Sequence, residues 1–244
     1  VALRYEGRDI TYGEVYERST RLAHALRGLG VEPGTRVAYL GHNNPAFVES
    51  LFATHMLGAI FVPLNFRLAA PEIEYMLGQS GTRVLIHAPE CDRAVSGLES
   101  YSGTKVALAS EYEPLLASGG TEPIDVPVTL DDPALILYTS GTTGKPKGAI
   151  LTHGNLVFNS FNMFLDVDIR EDEVALVAAP LFHVAALDQL LLPTFMKGAT
   201  SLLMRGWDVD GCFDAIEKDG VTWVFGVAAM FAGLVQSPRW ATAD

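Results

Sequence analysis

The sequence predicts an α/β protein built of layered, parallel-rich sheets with flanking helices. Three observations carry this. Short apolar runs recur between stretches of helical periodicity. Those runs (VAYL at 37–40, IFVP at 60–63, RVLI at 83–86) are apolar almost throughout rather than alternating, as strands buried on both faces are. Finally, 49% of the 244 residues are hydrophobic against 19% charged, which is enough to cover such sheets from both sides.

The elements follow in order. Gly7, between 1–3 and 8–10, predicts a small hairpin. Thr11 and Glu14 form a capping-box signature. The helix they open carries Val15, Leu22, Ala23, Leu26 and Leu29 at helical spacing and ends at Gly30. Strand 37–40, helix 45–57, strand 60–63, helix 71–77 and strand 83–86 come next. Further strands are predicted over 105–108, 134–138, 149–151, 173–177, 201–204 and 222–225, and helices over 155–164, 188–196, 209–218 and 228–236. A Gly- and Pro-rich stretch, 118–127, predicts a boundary. It divides the chain into a first α/β lobe at 1–118, a connecting loop at 119–133 and a second α/β lobe at 134–244.

Charge and cysteine usage exclude several classes. A net charge of −12 argues against nucleic acid as partner, so any anion site must be local. Cys91 and Cys212 are the only cysteines, with no C-x-x-C pair, which predicts a reducing, cytoplasmic setting. The longest uncharged apolar stretch, 221–235, is shorter than the roughly 20 residues of a membrane-spanning helix. No signal-peptide pattern is visible. The sequence opens at Val1 inside a strand-like pattern and stops at Asp244 without a terminating signal, which predicts a piece of a longer chain.

The stretch with the strongest chemical content is YTSGTTGKPKGA, residues 138–149. Gly141, Gly144 and Gly148 allow tight turns and close approach of backbone N–H groups to a ligand. Thr139, Ser140, Thr142 and Thr143 add hydroxyls, and Lys145 and Lys147 add charge. Together these make a polyphosphate cradle. No Ser or Thr follows a correctly spaced Gly-Lys pair, so this is not the Walker pattern, and G-x-G-x-x-G is absent too. Pro146 opposes a helix start, so the loop joins two strands. A plain hairpin tip with no ligand is the alternative that composition alone leaves open.

The string YTSGTTGKPKGA resembles the phosphate-loop signature of the adenylate-forming superfamily, which includes acyl- and aryl-CoA ligases and carrier-loading adenylation domains. LTHGNL at 151–156, PLFHVAAL at 180–187, NFRL at 65–68 with Pro71 and Glu72, Ser80-Gly81 before the strand 84–86, and the apolar segment 43–58 fit the same family in the same order. The HVAAL form is most similar to fatty acyl-CoA ligases. The resemblance implies an incomplete large N-terminal domain. In such enzymes ATP activates a carboxylic acid to an acyl-adenylate, and CoA then displaces AMP.

By that likeness, Thr139, Ser140, Gly141, Thr142, Thr143, Gly144, Lys145 and Lys147 wrap the ATP phosphates. Lys147 makes a phosphate contact, and the Thr139 hydroxyl lies on the magnesium side. His183 meets the acyl carboxylate, and Val184, Leu187, Val227 and Met230 line the substrate pocket with it. A core histidine bonded to a backbone carbonyl is the plain alternative for His183. His153 reads as structural, capping the helix that follows it. Arg67 reads as a structural anion partner, and the acidic run 166–173 as a solvated turn without calcium-loop spacing. The chain departs from the family in two places. Ala228 stands where relatives carry Pro, and Leu187 is smaller than the aromatic gate of some long-chain members. The family's Tyr-Gly-x-Thr-Glu and Thr-Gly-Asp segments, and its small C-terminal domain with a catalytic Lys, are absent.

The implied function is that of an acyl-CoA synthetase acting on a medium- or long-chain fatty acid, with ATP, Mg²⁺ and CoA as the other participants. Residues 1–244 alone are expected to be inactive. The alternatives are an aryl- or malonate-type CoA ligase, a carrier-loading adenylation domain and, from another class, a non-catalytic ATP-binding module.

Overall fold

Parallel pairing dominates both sheets of the computed structural model, which describes residues 1–139 and 144–243. The chain divides into two units by packing. The first comprises Val1–Tyr12, Asn43–Pro45 and Val157–Asp244, and the second comprises Gly13–His42 and Ala46–Leu156.

The strands of the first unit are β1 (Leu3–Tyr5), β2 (Arg8–Ile10), β9 (Val174–Val177), β10 (Thr200–Leu203) and β11 (Trp223–Val224), in the order β11-β9-β10-β1-β2. Only the β1–β2 pair is antiparallel. Its turn places Glu6 at φ 48° and Gly7 at φ 76°, the two positive φ values of a type I′ hairpin. Between β10 and β11 runs α9 (Val209–Asp219). It is opened by the Asp208 carboxylate, which accepts from the Gly211 N–H at 2.6 Å, and closed by Gly220 in the left-handed region. Its inward side, Cys212, Phe213 and Ala215, packs with Leu176, Ala178, Leu202, Met230 and Leu234. Met230 and Leu234 come from α10 (Ala228–Gln236).

In the second unit β3 (Arg36–Leu40), β4 (Ile60–Leu64), β5 (Thr82–His87), β6 (Thr104–Ala107), β7 (Pro133–Thr139) and β8 (Lys147–Thr152) form a sheet in the order β6-β5-β3-β4-β7-β8. All pairs are parallel except β7–β8. Every residue of β4 is buried, as the unbroken apolar run implies. The helices of this unit are α1 (Tyr12–Gly28), α2 (Pro45–Met56), α3 (Ala70–Ser80), α4 (Asp92–Ser96) and α5 (Tyr112–Ser118), the first two beginning at a residue of the other unit. Helix α3 buries Ile73, Met76 and Leu77 against Ala38, Leu40, Val62, Leu64 and Leu85. Each such Leu or Ile contributes about 2 kcal/mol relative to exposure.

Helix α6 (His153–Asp166) contains the crossing between units at 156–157. Its start corrects one expectation. His153 does not cap it. Thr152 and Asn155 do so reciprocally: the Thr152 N–H donates to Asn155 Oδ1 at 2.9 Å, and the Asn155 N–H donates to Thr152 Oγ1 at 3.2 Å. The His153 ring instead stands edge-on to His55, 4.8 Å between centroids.

The division by packing also falls elsewhere than the predicted boundary. Residues 119–133 do not separate a first lobe from a second, because β7 after them pairs with β4 before them. The composition shift marks a long connection inside one unit. Helices α4 and α5 carry no strong period and were not predicted, and residues 222–225 supply only a two-residue strand. No helix among the described residues is long and apolar enough to cross a membrane.

One end of the Arg18–Glu49 ion pair in this unit is buried. Glu49 is 1% exposed and accepts from Arg18 Nε at 2.7 Å, Arg18 Nη2 at 3.2 Å and the Tyr112 hydroxyl at 2.7 Å. Removing Arg18 leaves that carboxylate buried without its cation. We expect Arg18→Ala to lower the unfolding free energy by about 3 kcal/mol in a urea titration. Arg21→Ala, which removes an exposed i,i+4 pair with Glu17, should cost less than about 1 kcal/mol. Equal losses would show that the buried pair carries no special weight.

Candidate functional site

The glycine-rich stretch sits in the second unit as the tip of the β7–β8 hairpin. Strand β7 runs out of the buried sheet: residues 134–137 are buried, Tyr138 is half-buried and Thr139 is exposed. Strand β8 returns antiparallel, with Leu137 opposite Ala149, Tyr138 opposite Gly148 and Thr139 opposite Lys147. Ser140, Gly141, Thr142 and Thr143 lie outside the described residues. On the return, Gly144 holds φ +83°, a conformation that costs a side chain roughly 1 kcal/mol or more.

Gly148 is required by space. A Cβ there would lie 2.8 Å from Ile136 Cγ2 and 3.4 Å from the Tyr138 ring. Tyr138 is itself tied down, its hydroxyl donating to the Met76 carbonyl at 2.9 Å. Thr139 Oγ1 donates to the Lys147 carbonyl over a long 3.5 Å, its one hydrogen bond among the described residues. Lys145 Nζ lies 5.5 Å from the centre of the Tyr75 ring, a cation–π distance, and Lys147 is exposed at the hairpin mouth. The strand ends thus carry two lysines and a hydroxyl, groups of a kind that neutralise and orient an oxyanion. Among the described residues no group of three or more His, Cys, Asp or Glu could hold a metal ion, so a cation here would rely on ligand oxygens.

The second set of predicted residues lies in the first unit. After β9 the chain stays buried through Leu181 and Phe182 and emerges at His183. That residue precedes α7 (Val184–Ala186) with φ −97° and ψ 138°. Its ring lies against Phe182, 4.3 Å between centroids. Val184 is 45% exposed, whereas Leu187 is fully buried. A π turn, Leu187–Leu191, follows and leads into α8 (Leu192–Met196), so the helix expected at 188–196 starts earlier and carries an extra residue in one turn. Such turns concentrate at functional positions. Val227 is 54% exposed at the start of α10, and Met230 is a core residue one turn later. Among residues read as incidental, Arg67 stacks on Phe66, 5.4 Å from the ring centre. The acidic run forms a turn held by Arg170 to Asp172 and Glu173.

Asp188 was not singled out by the sequence, which placed it at a helix start with no sign of burial. It is 5% exposed, and its Oδ1 has no hydrogen-bond partner among the described residues. Its backbone carbonyl accepts from Asn159 Nδ2 at 2.9 Å. Burial pushes the carboxyl up to about 7. A raised carboxyl binds its proton more tightly folded than unfolded. Its contribution to stability is therefore full below the unfolded value of 3.8 and is lost as pH rises through about 7. We expect Asp188→Asn to gain stability over the parent progressively between pH 4 and pH 8 in parallel thermal melts. A constant difference would show that Asp188 does not titrate in that window.

Comparison with known proteins identifies the family. The model of the AMP-binding enzyme family matches residues 1–244. Feruloyl-CoA synthase of Amycolatopsis sp is 49% identical over 243 residues, covering 100% of this chain and 48% of that protein. Indoleacetate–CoA ligase of Aromatoleum aromaticum is 39% identical over 255 residues, covering 100% and 49%. Among solved structures, a Mycobacterium tuberculosis fatty acyl CoA synthetase superposes with a TM-score of 0.90 at 28% identity, over 100% of this chain and 49% of that one. The chain thus spans about half the length of the curated relatives it matches. A match over the full 244 residues leaves one conclusion: the chain belongs to the AMP-binding enzyme family.

Proposed function

We propose that the chain supplies the polyphosphate-binding and acid-binding elements of a longer acid–thiol ligase. The observation that carries this is the β7–β8 pairing, which sets Thr139 opposite Lys147 at the ends of the YTSGTTGKPKGA stretch in a chain of this family. In the proposed reaction a carboxylate oxygen attacks the α-phosphorus of ATP. The bond to the bridging oxygen breaks, pyrophosphate leaves and an acyl-adenylate forms. The sulfur of CoA then attacks the acyl carbon, and AMP leaves.

The hairpin's task is electrostatic. Charge builds on the pyrophosphate as its bond breaks, and donors fixed beforehand stabilise it. Lys147 and Lys145 supply the cations. Mg²⁺ would add charge neutralisation, held mainly by phosphate oxygens with the Thr139 hydroxyl on the same side. His183 orients the carboxylate, and the exposed Val184 and Val227 meet the rest of the acid, with the buried Leu187 and Met230 packed beneath as their support. Neither Cys91 nor Cys212 forms a disulfide, which supports a cytoplasmic setting.

For the acid, we favour an aromatic one with a short carboxylic side chain. The names of the 49% and 39% identical relatives support this. A fatty acid is the second reading, supported by the HVAAL motif at 183–187 and by the structural neighbour's title. The test is a panel of carboxylic acids given to the longer chain with ATP, Mg²⁺ and CoA, with thioester measured by mass. We expect thioester from arylpropenoic acids at higher kcat/KM than from palmitate, with AMP as co-product. Lys147→Ala should lower kcat/KM for ATP about 10- to 100-fold, the loss of one charge-assisted contact. Palmitate as the better substrate would transfer the reading to fatty acids. Wild-type kinetics for Lys147→Ala would remove the hairpin from the mechanism.

A further inference from the structure

Asn43 is 2% exposed, and its amide is engaged with the backbone of two distant segments of its own unit. Nδ2 donates to the carbonyls of Val177 at 3.3 Å, Ala179 at 2.9 Å and Met204 at 3.1 Å. Oδ1 accepts from the Leu181 N–H at 2.9 Å. These groups lie where β9 and β10 end and where the chain turns toward His183.

Regular pairing stops here. Val177 still accepts from the Met204 N–H at 3.0 Å, but Ala178, Ala179 and Leu181 continue as buried chain beyond the sheet. Buried backbone groups need partners, and Pro180 between them has no N–H to offer. Asn is a side chain that can serve donors and acceptors at once. Asp would set an anion against three carbonyl oxygens, and Ser has one hydroxyl for four groups. The next link is direct: the Pro180 carbonyl, held on both sides by the Asn43 bonds to Ala179 and Leu181, accepts from the His183 N–H at 3.1 Å.

We infer that Asn43 is a positioning residue for His183, setting through four backbone bonds the point at which that side chain emerges. This rests on the proposed reading of His183 as the residue that meets the carboxylic acid. Its consequence is a selective kinetic defect. Loss of Asn43 should displace the acid's partner while leaving ATP binding in the second unit's hairpin alone, and small displacements of positioning groups cost large factors in rate.

The experiment is a double-mutant cycle in the longer chain, reading acid-dependent pyrophosphate exchange for Asn43→Ala, His183→Ala and the pair. We expect Asn43→Ala to raise KM for the acid about tenfold while KM for ATP stays within about twofold. We expect the pair to be no worse than His183→Ala alone. If His183→Ala is impaired but the two losses multiply, Asn43 acts independently of His183 and the inference fails while the reading of His183 stands. Unchanged kinetics for His183→Ala would overturn both. An unchanged KM for the acid in Asn43→Ala would overturn the inference alone. Should Asn43→Ala not fold, Asn43→Ser carries the same cycle, its hydroxyl serving one of the four backbone groups.

Discussion

The antiparallel register of β8 against β7 governs the candidate phosphate site. In an otherwise parallel sheet a strand normally leads into a helix, and an anion bound there would borrow the helix N-terminus. Here the chain reverses instead. Pairing Tyr138 with Gly148 and Thr139 with Lys147 sets the last hydroxyl of one strand beside the first cation of the next. Shifting the register by one residue would turn Lys147 to the opposite face. The constraint is enforced by packing. Ile136 and Tyr138 occupy the space a Cβ on residue 148 would need, so only glycine lets β8 lie this close.

The first unit solves a different problem. It must bring a polar side chain out of a buried strand end, and the backbone between Val177 and His183 leaves the sheet before it leaves the core. Hydrogen bonds lost there would each cost about 1–3 kcal/mol. A borrowed amide, that of Asn43, replaces them. The buried Asp188 a few residues later has an unpartnered Oδ1, and burial raises its carboxyl instead. The two side chains show alternative fates of a buried polar group: full satisfaction or a shifted protonation equilibrium.

The sequence made the layered architecture and the hairpin legible for local reasons. Apolar runs such as 60–64 leave no polar face, so they belong in a covered parallel sheet, and Pro146 rules out a helix at the loop. What stayed hidden depends on contacts between distant residues. Asn43 looks like any polar residue before a helix, and its partners lie more than 130 positions away. Asp188 begins a segment of helical period, and nothing local shows that a π turn buries it. The Gly- and Pro-rich stretch suggested a boundary because composition reports local disorder of pattern, not which strand pairs with which. The substrate preference was read from the five residues HVAAL. Five residues cannot describe a pocket that is shaped by residues scattered along the sequence.

The central claim is that this chain helps activate a carboxylic acid at the α-phosphorus of ATP. Exchange of labelled pyrophosphate into ATP by the longer chain, without CoA, tests that step alone. The account predicts exchange that requires both Mg²⁺ and an acceptable carboxylic acid and that vanishes when the acid is withheld. ATP breakdown to ADP and inorganic phosphate, or exchange indifferent to the acid, would contradict it.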